Sequence, residues 1–164
     1  MIVVSNSSPL VYLAALSDFE LLPQLFGKIL IPPAVWREVV EQAVGLPVCA
    51  AVERASGTWL DVIPLQDSPA PGASPRGVLH AGEAEVIQLA HEVGANVLLI
   101  DDRIAVEYAR SLGRVVVPTL AIYIRAKNMG LISSVREKAD QLRIARFRLS
   151  DQDYHAVLRA AGEL

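Results

Sequence analysis

The chain has 164 residues, a net charge of −3 and a composition that is 52% hydrophobic but only 5% aromatic. This length suits a single domain that buries enough apolar surface to fold unaided. Cys49 is the only cysteine, which excludes an internal disulfide and a thiolate zinc cluster. Neither a signal peptide nor an apolar run of the ~20 residues that cross a bilayer is visible, so we expect a cytoplasmic protein that does not enter a membrane.

Charge is unevenly distributed along the chain. Residues 1–100 contain four Lys and Arg against ten Asp and Glu, whereas residues 101–164 contain eleven against eight. The overall negative charge argues against a nucleic-acid coat protein. A basic cluster in the second part could hold phosphates, or it could be an ordinary solvated helix surface. Its members are Arg125, Lys127, Arg136, Lys138, Arg143, Arg146 and Arg148.

The first two predicted strands each lead into a helix. The apolar residues 2–4 form a short strand that ends at the polar turn 5–8. Ser8 followed by Pro9 predicts a helix start, because a hydroxyl N-cap is followed by proline at the first helical position. Residues 29–31 form the second strand, and another helix follows it. The turn after the first strand therefore presents polar side chains at the carboxyl end of that strand.

The helix after the second strand carries the first candidate acid, Glu38. Trp36, Val39 and Val40 occupy the i, i+3 and i+4 positions of a predicted buried stripe. Glu38 lies near the edge of this stripe, where it could reach a cleft. An exposed glutamate is also common on a helix, and the sequence leaves both interpretations open.

A long loop, residues 64–79, precedes a helix that begins near Gly82. Loops of this length are uncommon in compact domains and are often functional. Glu83 and Glu85 in the first turn of the helix could simply complement its dipole. They are about 200° apart around the helix axis, so at most one of them can face a common site.

The stretch 96–102 combines a predicted buried strand with two adjacent carboxylates. Its apolar residues have the pattern of a parallel strand that is buried on both faces. Asp101 and Asp102 follow directly, at the position where ligands bind in open α/β sheets. Two neighbouring like charges are costly unless a cation or a basic partner compensates them. Alternatively, one of them caps the helix that begins near Arg103.

A final strand, residues 115–117, precedes a helix opened by Pro118 and Thr119, and two more helices follow. Alternating strands and helices predict a three-layer, Rossmann-like α/β domain with a central parallel sheet. A Gly-x-Gly-x-x-Gly turn, a Walker loop and a nucleophile elbow are all absent from the sequence. We therefore expect one domain over residues 1–164, with a core of residues 2–130 and a helical C-terminal extension of residues 131–164.

The order and spacing of five segments give the sequence a family resemblance. These segments are VVSNSSPL (3–10), IPPAVWRE (31–38), AGEAEVI (81–87), LLIDD (98–102) and GRVVVPTL (113–120). Together they resemble PIN-domain proteins, metal-dependent ribonuclease-like domains that are common among the toxins of toxin–antitoxin pairs. The Gly-Glu-Ala-Glu helix start is most similar to a poorly characterised, toxin-like branch. The resemblance implies the PIN fold over roughly residues 2–130.

The resemblance also implies a site at which acidic side chains bind Mg²⁺ or Mn²⁺. The implied catalytic residues and metal ligands are Glu38, Glu83, Asp101 and Asp102, with Asn6 as a further ligand and Ser7 in a supporting role. Asn6 departs from the family pattern, which usually has Asp at that position. An amide oxygen can still coordinate Mg²⁺, but it holds the ion less strongly because it carries no charge.

The function implied by the resemblance is a metal-dependent endoribonuclease, the toxin of a toxin–antitoxin pair. Its implied partners are an RNA substrate, an antitoxin protein and a second copy of the chain in a homodimer. A basic rim of Arg103, Arg125 and Lys127 would hold RNA phosphates. The alternative is a catalytically weak PIN-fold module that binds RNA or protein. Asn6 favours this module, whereas the acidic residues favour the enzyme.

Overall fold

A five-stranded parallel β-sheet lies at the centre of the computed structural model, which describes residues 1–69, 73–74 and 77–164. The strands are β1 (Val3–Ser5), β2 (Ile29–Ile31), β3 (Leu60–Val62), β4 (Ala73–Ser74), β5 (Gly77–Val78), β6 (Val97–Leu99) and β7 (Val115–Val116). The central sheet has the order β3-β2-β1-β6-β7, and its neighbouring strands are parallel. The predicted α/β fold with a central parallel sheet is confirmed.

Helices flank this sheet, because parallel neighbours need crossover connections. In chain order they are α1 (Ser7–Ala15), α2 (Leu21–Phe26), α3 (Pro33–Trp36), α4 (Pro47–Ala55), α5 (Ala81–Val93), α6 (Arg103–Ser111), α7 (Thr119–Asn128), α8 (Val135–Ile144) and α9 (Asp151–Ala160). Among the described residues, no helix is both long and apolar enough to span a bilayer. The helices α1, α6 and α7 begin just after the carboxyl ends of β1, β6 and β7.

The register of the central strands positions the candidate site. Ser5 pairs with Leu99 across β1 and β6, and the Asn6 N–H donates a hydrogen bond to the Leu99 carbonyl oxygen at 2.9 Å. Both strands are buried, which matches their uninterrupted apolar sequence. Because the strands are parallel, Asn6 and Asp101 leave the sheet at the same edge.

The helix that carries Glu38 is shorter and less regular than the sequence predicts. After α3, residues Arg37–Glu41 form a π-helical turn, in which the Gln42 N–H donates to the Arg37 carbonyl oxygen at 2.8 Å. Val39 and Val40 are buried as predicted, but Trp36 is only half-buried. The wider turn changes the angular spacing of side chains, and π-helical turns occur frequently at functional sites.

The loop predicted over residues 64–79 contains β4 and β5, which form an antiparallel pair. Residues 70–72 and 75–76 of this loop lie outside the described residues. The helix α5 follows it and buries Val86, Leu89 and Ala90 at the i, i+3 and i+4 positions of one face. This packing fixes the first turn of α5, where Glu83 lies.

The C-terminal helices α8 and α9 pack against α7 and are held by Glu163. Its carboxylate accepts hydrogen bonds from the Val135 and Arg136 N–H groups at 2.7 and 2.8 Å and lies 2.7 Å from Lys127 Nζ. Desolvation alone would raise the pKa of Glu163, but the hydrogen bonds from Lys127, Val135 and Arg136 lower it to about 2. This ion pair fastens the end of the chain to α7 and to the start of α8.

Candidate active site

Asp101 is held at the carboxyl edge of the sheet by hydrogen bonds from two other segments. Its Oδ1 accepts a bond from the Thr119 N–H at 2.7 Å, and its Oδ2 accepts bonds from Thr119 Oγ1 at 2.6 Å and Ser8 Oγ at 2.8 Å. Desolvation raises the pKa of Asp101, although the bonds from Thr119 and Ser8 oppose that shift. A carboxylate has about four acceptor positions, so one remains for a further ligand.

These contacts correct the predicted role of Ser8. The helix α1 begins two residues earlier than expected, with Asn6 at the N-cap position and no side-chain capping bond. The Ser8 hydroxyl instead donates to Asp101. Leaving a buried carboxylate without hydrogen-bond donors costs more free energy than leaving the end of a helix uncapped where it opens onto a cavity. Thr119, which sequence reasoning treated only as a helix start, therefore belongs to the site.

Glu38 and Asn6 approach each other beside Gly82. The Ser7 hydroxyl donates to Glu38 Oε2 at 2.6 Å, which leaves Oε1 directed towards α5. A Cβ atom added to Gly82 would lie 2.5 Å from Glu38 Oε1 and 3.4 Å from Asn6 Oδ1. A side chain at this position would therefore displace the Glu38 carboxylate, and glycine leaves it in place. Sequence reasoning missed this role, although the Gly-Glu start of the helix contained the signal.

Glu83 lies next to two other acids. Its side chain is buried, and Oε2 accepts a hydrogen bond from the His80 N–H at 2.6 Å. Desolvation raises the pKa of Glu83, the His80 N–H lowers it, and the negative charges of Asp102 and Glu38 raise it again. Glu85 points elsewhere and accepts a bond from the Ala34 N–H at 2.8 Å, as the angle between the two glutamates requires.

Asp102 combines exposure to solvent with a structural contact. Its Oδ1 accepts a hydrogen bond from the Ala105 N–H at 3.0 Å, so it is the N-cap of α6. Of the two alternatives for the Asp pair, the structure shows that Asp102 makes the cap, whereas Asp101 is bound by side chains from other segments. The exposed Asp102 carboxylate still reaches the cavity that Asp101 lines.

Two adjoining cavities of about 600 and 530 Å³ open at this edge of the sheet, and Asn6 and Glu83 line both. Glu38 and Gly82 line the first cavity, which we call the Glu38 cavity. Asp101 and Asp102 line the second, which we call the Asp101 cavity. Its wall is completed by residues from α1, α6 and the C-terminal extension: Ser8, Tyr12, Arg103, Arg146, Phe147, Arg148 and Asp153.

The predicted basic rim is only partly brought to these cavities. Arg103 lines the Asp101 cavity. Arg125 lies 5.9 Å from the centroid of the Phe26 ring, and Lys127 Nζ lies 2.7 Å from Glu163 Oε1. Neither Arg125 nor Lys127 is among the residues that line either cavity.

The donor atoms of the site fit a hard divalent cation that keeps much of its water. Carboxylate and amide oxygens are the ligands that Mg²⁺ and Mn²⁺ prefer. Within the described ranges, no three Asp, Glu, His or Cys side chains form a group that could hold one ion, so the site is not a closed cage. Glu38 Oε1 and Asn6 Oδ1 both lie against Gly82. Mg²⁺ usually binds through one or two carboxylates and several waters, which two such ligands can satisfy.

The fold and the site define an α/β domain with acidic side chains at the carboxyl edge of a parallel sheet. The chain belongs to the PIN-domain family, since the model of the family DUF3368, a PIN domain, matches residues 2–163. This confirms the resemblance found in the sequence, and the match continues through the C-terminal helices. No curated protein matches the chain.

Two solved structures of other proteins resemble this one. The PilT N-terminus domain protein SSO1118 from the archaeon Sulfolobus solfataricus P2 is 20% identical, with a TM-score of 0.54 over 74% of this chain and 90% of that chain. The PIN domain endonuclease Utp24 is 13% identical, with a TM-score of 0.51 over 71% of this chain and 84% of that chain. At these identities the likeness shows the fold alone.

Proposed function

We propose that this protein is a metal-dependent endoribonuclease that cleaves RNA phosphodiester bonds with Mg²⁺ or Mn²⁺. The observation that carries the proposal is the arrangement of Glu38, Glu83, Asp101 and Asp102 with Asn6 along two adjoining cavities at the carboxyl edge of the sheet. Membership of the PIN-domain family supports it, as does the description of Utp24 as a PIN domain endonuclease.

The residues of the site have different roles in this mechanism. Asn6 and Glu38 would hold the divalent cation, which would supply charge neutralisation for the phosphate and a more acidic water. Glu83 Oε1 takes no part in the hydrogen bond with His80 and accepts a hydrogen bond from the attacking water. Asp101, fixed by Ser8 and Thr119, adds negative charge that attracts the cation. Ser7 keeps the Glu38 carboxylate in position.

A second candidate function is a catalytically weak PIN-fold module that binds RNA or protein. Asn6 favours this alternative, because a neutral amide occupies the position where the resembling proteins usually carry a charged ligand. Three hydrogen bonds to Asp101 point in the same direction, since they leave that carboxylate little capacity for a metal. The two functions differ in whether a bound RNA strand is cut.

Titration with Mn²⁺ tests the enzyme directly. We expect weak binding to the natural chain, a rise in melting temperature through linkage, and cleavage of single-stranded RNA. Glu38→Gln should lose all three effects, because it removes a charged ligand and keeps the shape of the side chain. Glu41→Gln is the matched control, since Glu41 is exposed on the same π-helical turn and does not line either cavity.

The outcomes of this titration separate the two functions. Equal Mn²⁺ binding by the natural chain and Glu38→Gln, or an unchanged melting temperature with Mn²⁺, would contradict the proposed metal site. RNA binding without cleavage at saturating Mn²⁺ would instead support the module.

We also propose, from the resemblance, that the protein is the toxin of a toxin–antitoxin pair and forms a homodimer. The exposed apolar side chains of Val44 and Leu46, which follow the π-helical turn, support association through this region. Sedimentation should detect a dimer at micromolar concentration, and co-expression with an antitoxin protein should relieve growth inhibition. A monomer throughout that concentration range would contradict the homodimer.

A further inference from the structure

In addition to its acidic side chains, the Asp101 cavity is lined by three exposed arginines. Arg103 comes from the first turn of α6, whereas Arg146 and Arg148 come from the segment between α8 and α9. Arg103 lies 3.5 Å from Glu107, an exposed pair of little strength. The cavity therefore combines acidic groups, which suit a cation, with guanidinium groups, which suit an anion.

The backbone of Arg146 is unusual for its position in the chain. It follows the end of α8 with a φ of 67°, in the left-handed region. Its N–H donates to the Arg143 carbonyl oxygen at 3.0 Å, and the N–H of Phe147 donates to the Leu142 carbonyl oxygen at 2.9 Å. Glycine is preferred in this helix-ending conformation. At or just after the ends of six other helices the chain has a glycine with positive φ (Gly27, Gly57, Gly94, Gly113, Gly130 and Gly162), whereas Ser17, after α1, has a φ of 60°.

An aromatic contact holds this segment against the core of the domain. The Phe147 ring meets the Tyr12 ring edge to face, with centroids 4.9 Å apart and an interplanar angle of 87°. Tyr12 lies on α1, one turn after Ser8, and both aromatic residues line the Asp101 cavity. Phe147 thus anchors the segment between the two arginines, and both of these also line the cavity.

We propose that Arg146 and Arg148 form a phosphate-binding strap that holds the backbone of an RNA strand across the Asp101 cavity. This inference rests on the proposed function and extends it to residues that no resemblance assigns. Arginine suits the role because its planar guanidinium binds phosphate oxygens with two parallel hydrogen bonds. The acidic side chains of the cavity repel the RNA phosphates, and Arg146 and Arg148 attract them. The flanking phosphates are therefore held against the C-terminal extension.

A different explanation is that the arginines only neutralise the acids of the cavity within the molecule. Glycine has this positive φ after most of the other helices, so the backbone should tolerate Arg146→Gly and the substitution can separate the two explanations. If the side chain serves only the fold, Arg146→Gly removes a compensating charge and lowers the melting temperature. If it serves RNA, Arg146→Gly relieves the left-handed backbone, keeps or raises the melting temperature, and weakens RNA binding.

The test measures the binding of a short, fluorescein-labelled single-stranded oligoribonucleotide by anisotropy, in the presence of a chelator so that the strand stays intact. For single strands each lost phosphate contact lowers the slope of log K against log[salt] by ~0.7. We therefore expect Arg146→Gly and Arg148→Gln each to weaken binding about fivefold at 0.1 M salt, and the double variant roughly 25-fold.

Two further variants, which change the charge by one unit in opposite directions, sharpen the test. Arg159→Gln removes one positive charge from an exposed position of α9 that does not line the cavity, and we expect binding within about twofold of the natural chain, as screening predicts for a distant charge. Asp153→Asn removes a negative charge from the cavity wall itself, so binding should become tighter.

The outcomes distinguish the strap from the enzyme. Binding that is unaffected by Arg146→Gly and Arg148→Gln, or that falls equally in Arg159→Gln, overturns the strap. A large fall in the melting temperature of Arg146→Gly also overturns it and supports the neutralising role. If the natural chain binds through the strap but never cuts RNA with Mn²⁺, the strap stands and the proposed enzyme fails. An acidic peptide could also be added as a competitor. If it displaces the oligoribonucleotide from the natural chain but not from the arginine variants, the ligand of the strap is a protein segment and not RNA.

Discussion

Asp101 and Glu163 are two carboxylates with several hydrogen-bond donors each, but their pKa values shift in opposite directions. Desolvation raises the pKa of Asp101 in spite of the bonds from Thr119 and Ser8. For Glu163, hydrogen bonds that include one from Lys127 overcome desolvation and lower the pKa to about 2. Two differences account for this: Asp101 is far more deeply buried than Glu163, and only Glu163 has an ammonium partner, which compensates a desolvated charge better than neutral donors do.

This difference separates acids that stabilise the fold from acids that are available to a ligand. Glu163 has its cation within the chain, and its ion pair fastens the C-terminal extension. None of the described ion pairs involves Asp101, Glu83 or Glu38. Desolvation raises the pKa of Glu83, and the negative charges of Asp102 and Glu38 add to that rise. The charge of Glu163 is therefore compensated within the chain, while the edge of the sheet retains negative charge that a divalent cation can compensate.

Replacing Asp101 should give the largest effect on function. Asp101→Asn leaves one acceptor oxygen for three donors, so at least one donor loses its partner at a cost of about 1–3 kcal/mol. We expect a lower free energy of unfolding in chemical denaturation and a loss of RNA cleavage of roughly a hundredfold or more, as for misplaced catalytic groups. If Asp101→Asn is as stable as the natural chain, the free energy lost with the hydrogen bonds is offset by relief of the charge repulsion between Asp101 and its acidic neighbours.

Gly82→Ala should impair the site with little effect on the fold. The new Cβ at 2.5 Å would force the Glu38 carboxylate to move, and a ligand displaced in this way should cost ~10–100-fold in Mn²⁺ affinity, as for changes that disturb ligand orientation. Alanine is also the better helix former by up to ~1 kcal/mol, which offsets the strain. Calorimetric titration with Mn²⁺ checks this, and unchanged affinity would mean that Glu38 does not bind the metal.

Asn6→Asp tests whether the site needs more charge. Without metal, a further buried carboxylate beside Glu38 and Glu83 should lower the melting temperature, because like charges repel. With Mn²⁺ the order should reverse, with roughly tenfold tighter binding and faster RNA cleavage if the enzyme is correct. Melting curves with and without Mn²⁺ measure both effects. A variant that is destabilised equally in both conditions would contradict a metal site at Asn6.

Glu163 should give the smallest effect on cleavage and a pH-dependent effect on stability. Because its folded pKa lies below the unfolded value, its contribution is fully present above about pH 4.5 and is lost as the pH falls towards 2. After allowance for solvent screening we expect about 1–2 kcal/mol. Glu163→Gln should lower stability at neutral pH and flatten the acid limb of the unfolding profile. An acid limb identical to that of the natural chain would contradict this role.

The fold could be predicted because local patterns determine it. Uninterrupted apolar strands and i, i+3, i+4 stripes survive in the structure with shifts of one or two residues at their ends. The first strand begins at Val3, one residue later than predicted, and the Ile2 side chain is 39% exposed. The π-helical turn at Arg37–Glu41 has no comparable signal, since its residues fit a regular helix equally well.

The site was predictable only as far as strand ends can be aligned. Asn6 and Asp101 follow neighbouring strands, so their proximity follows from topology. Other features of the site depend on distances across the fold, which the sequence does not contain. They are the hydrogen bonds from Ser8 and Thr119, the contact of Gly82 with Glu38, and the positions of Arg146 and Arg148. A serine before a proline or a threonine after one has a local explanation as a helix start, and that explanation hides the tertiary contact.

The bonds between Asp101, Ser8 and Thr119 also determine when the site can exist during synthesis. Ser8 and Asp101 are separated by 93 residues. The strand β1 lies between β2 and β6 in the sheet, so it lacks both partners until β2 is made and lacks the second until β6 is made. Domains are synthesised from the N-terminus, and contacts between distant residues form slowly. A nascent chain that has not yet released Thr119 from the ribosome therefore lacks two of the three donated bonds that fix Asp101. A chain of this kind is made beside RNA, and Asp101 gains its full set of donors only after about three-quarters of the chain has left the ribosomal tunnel.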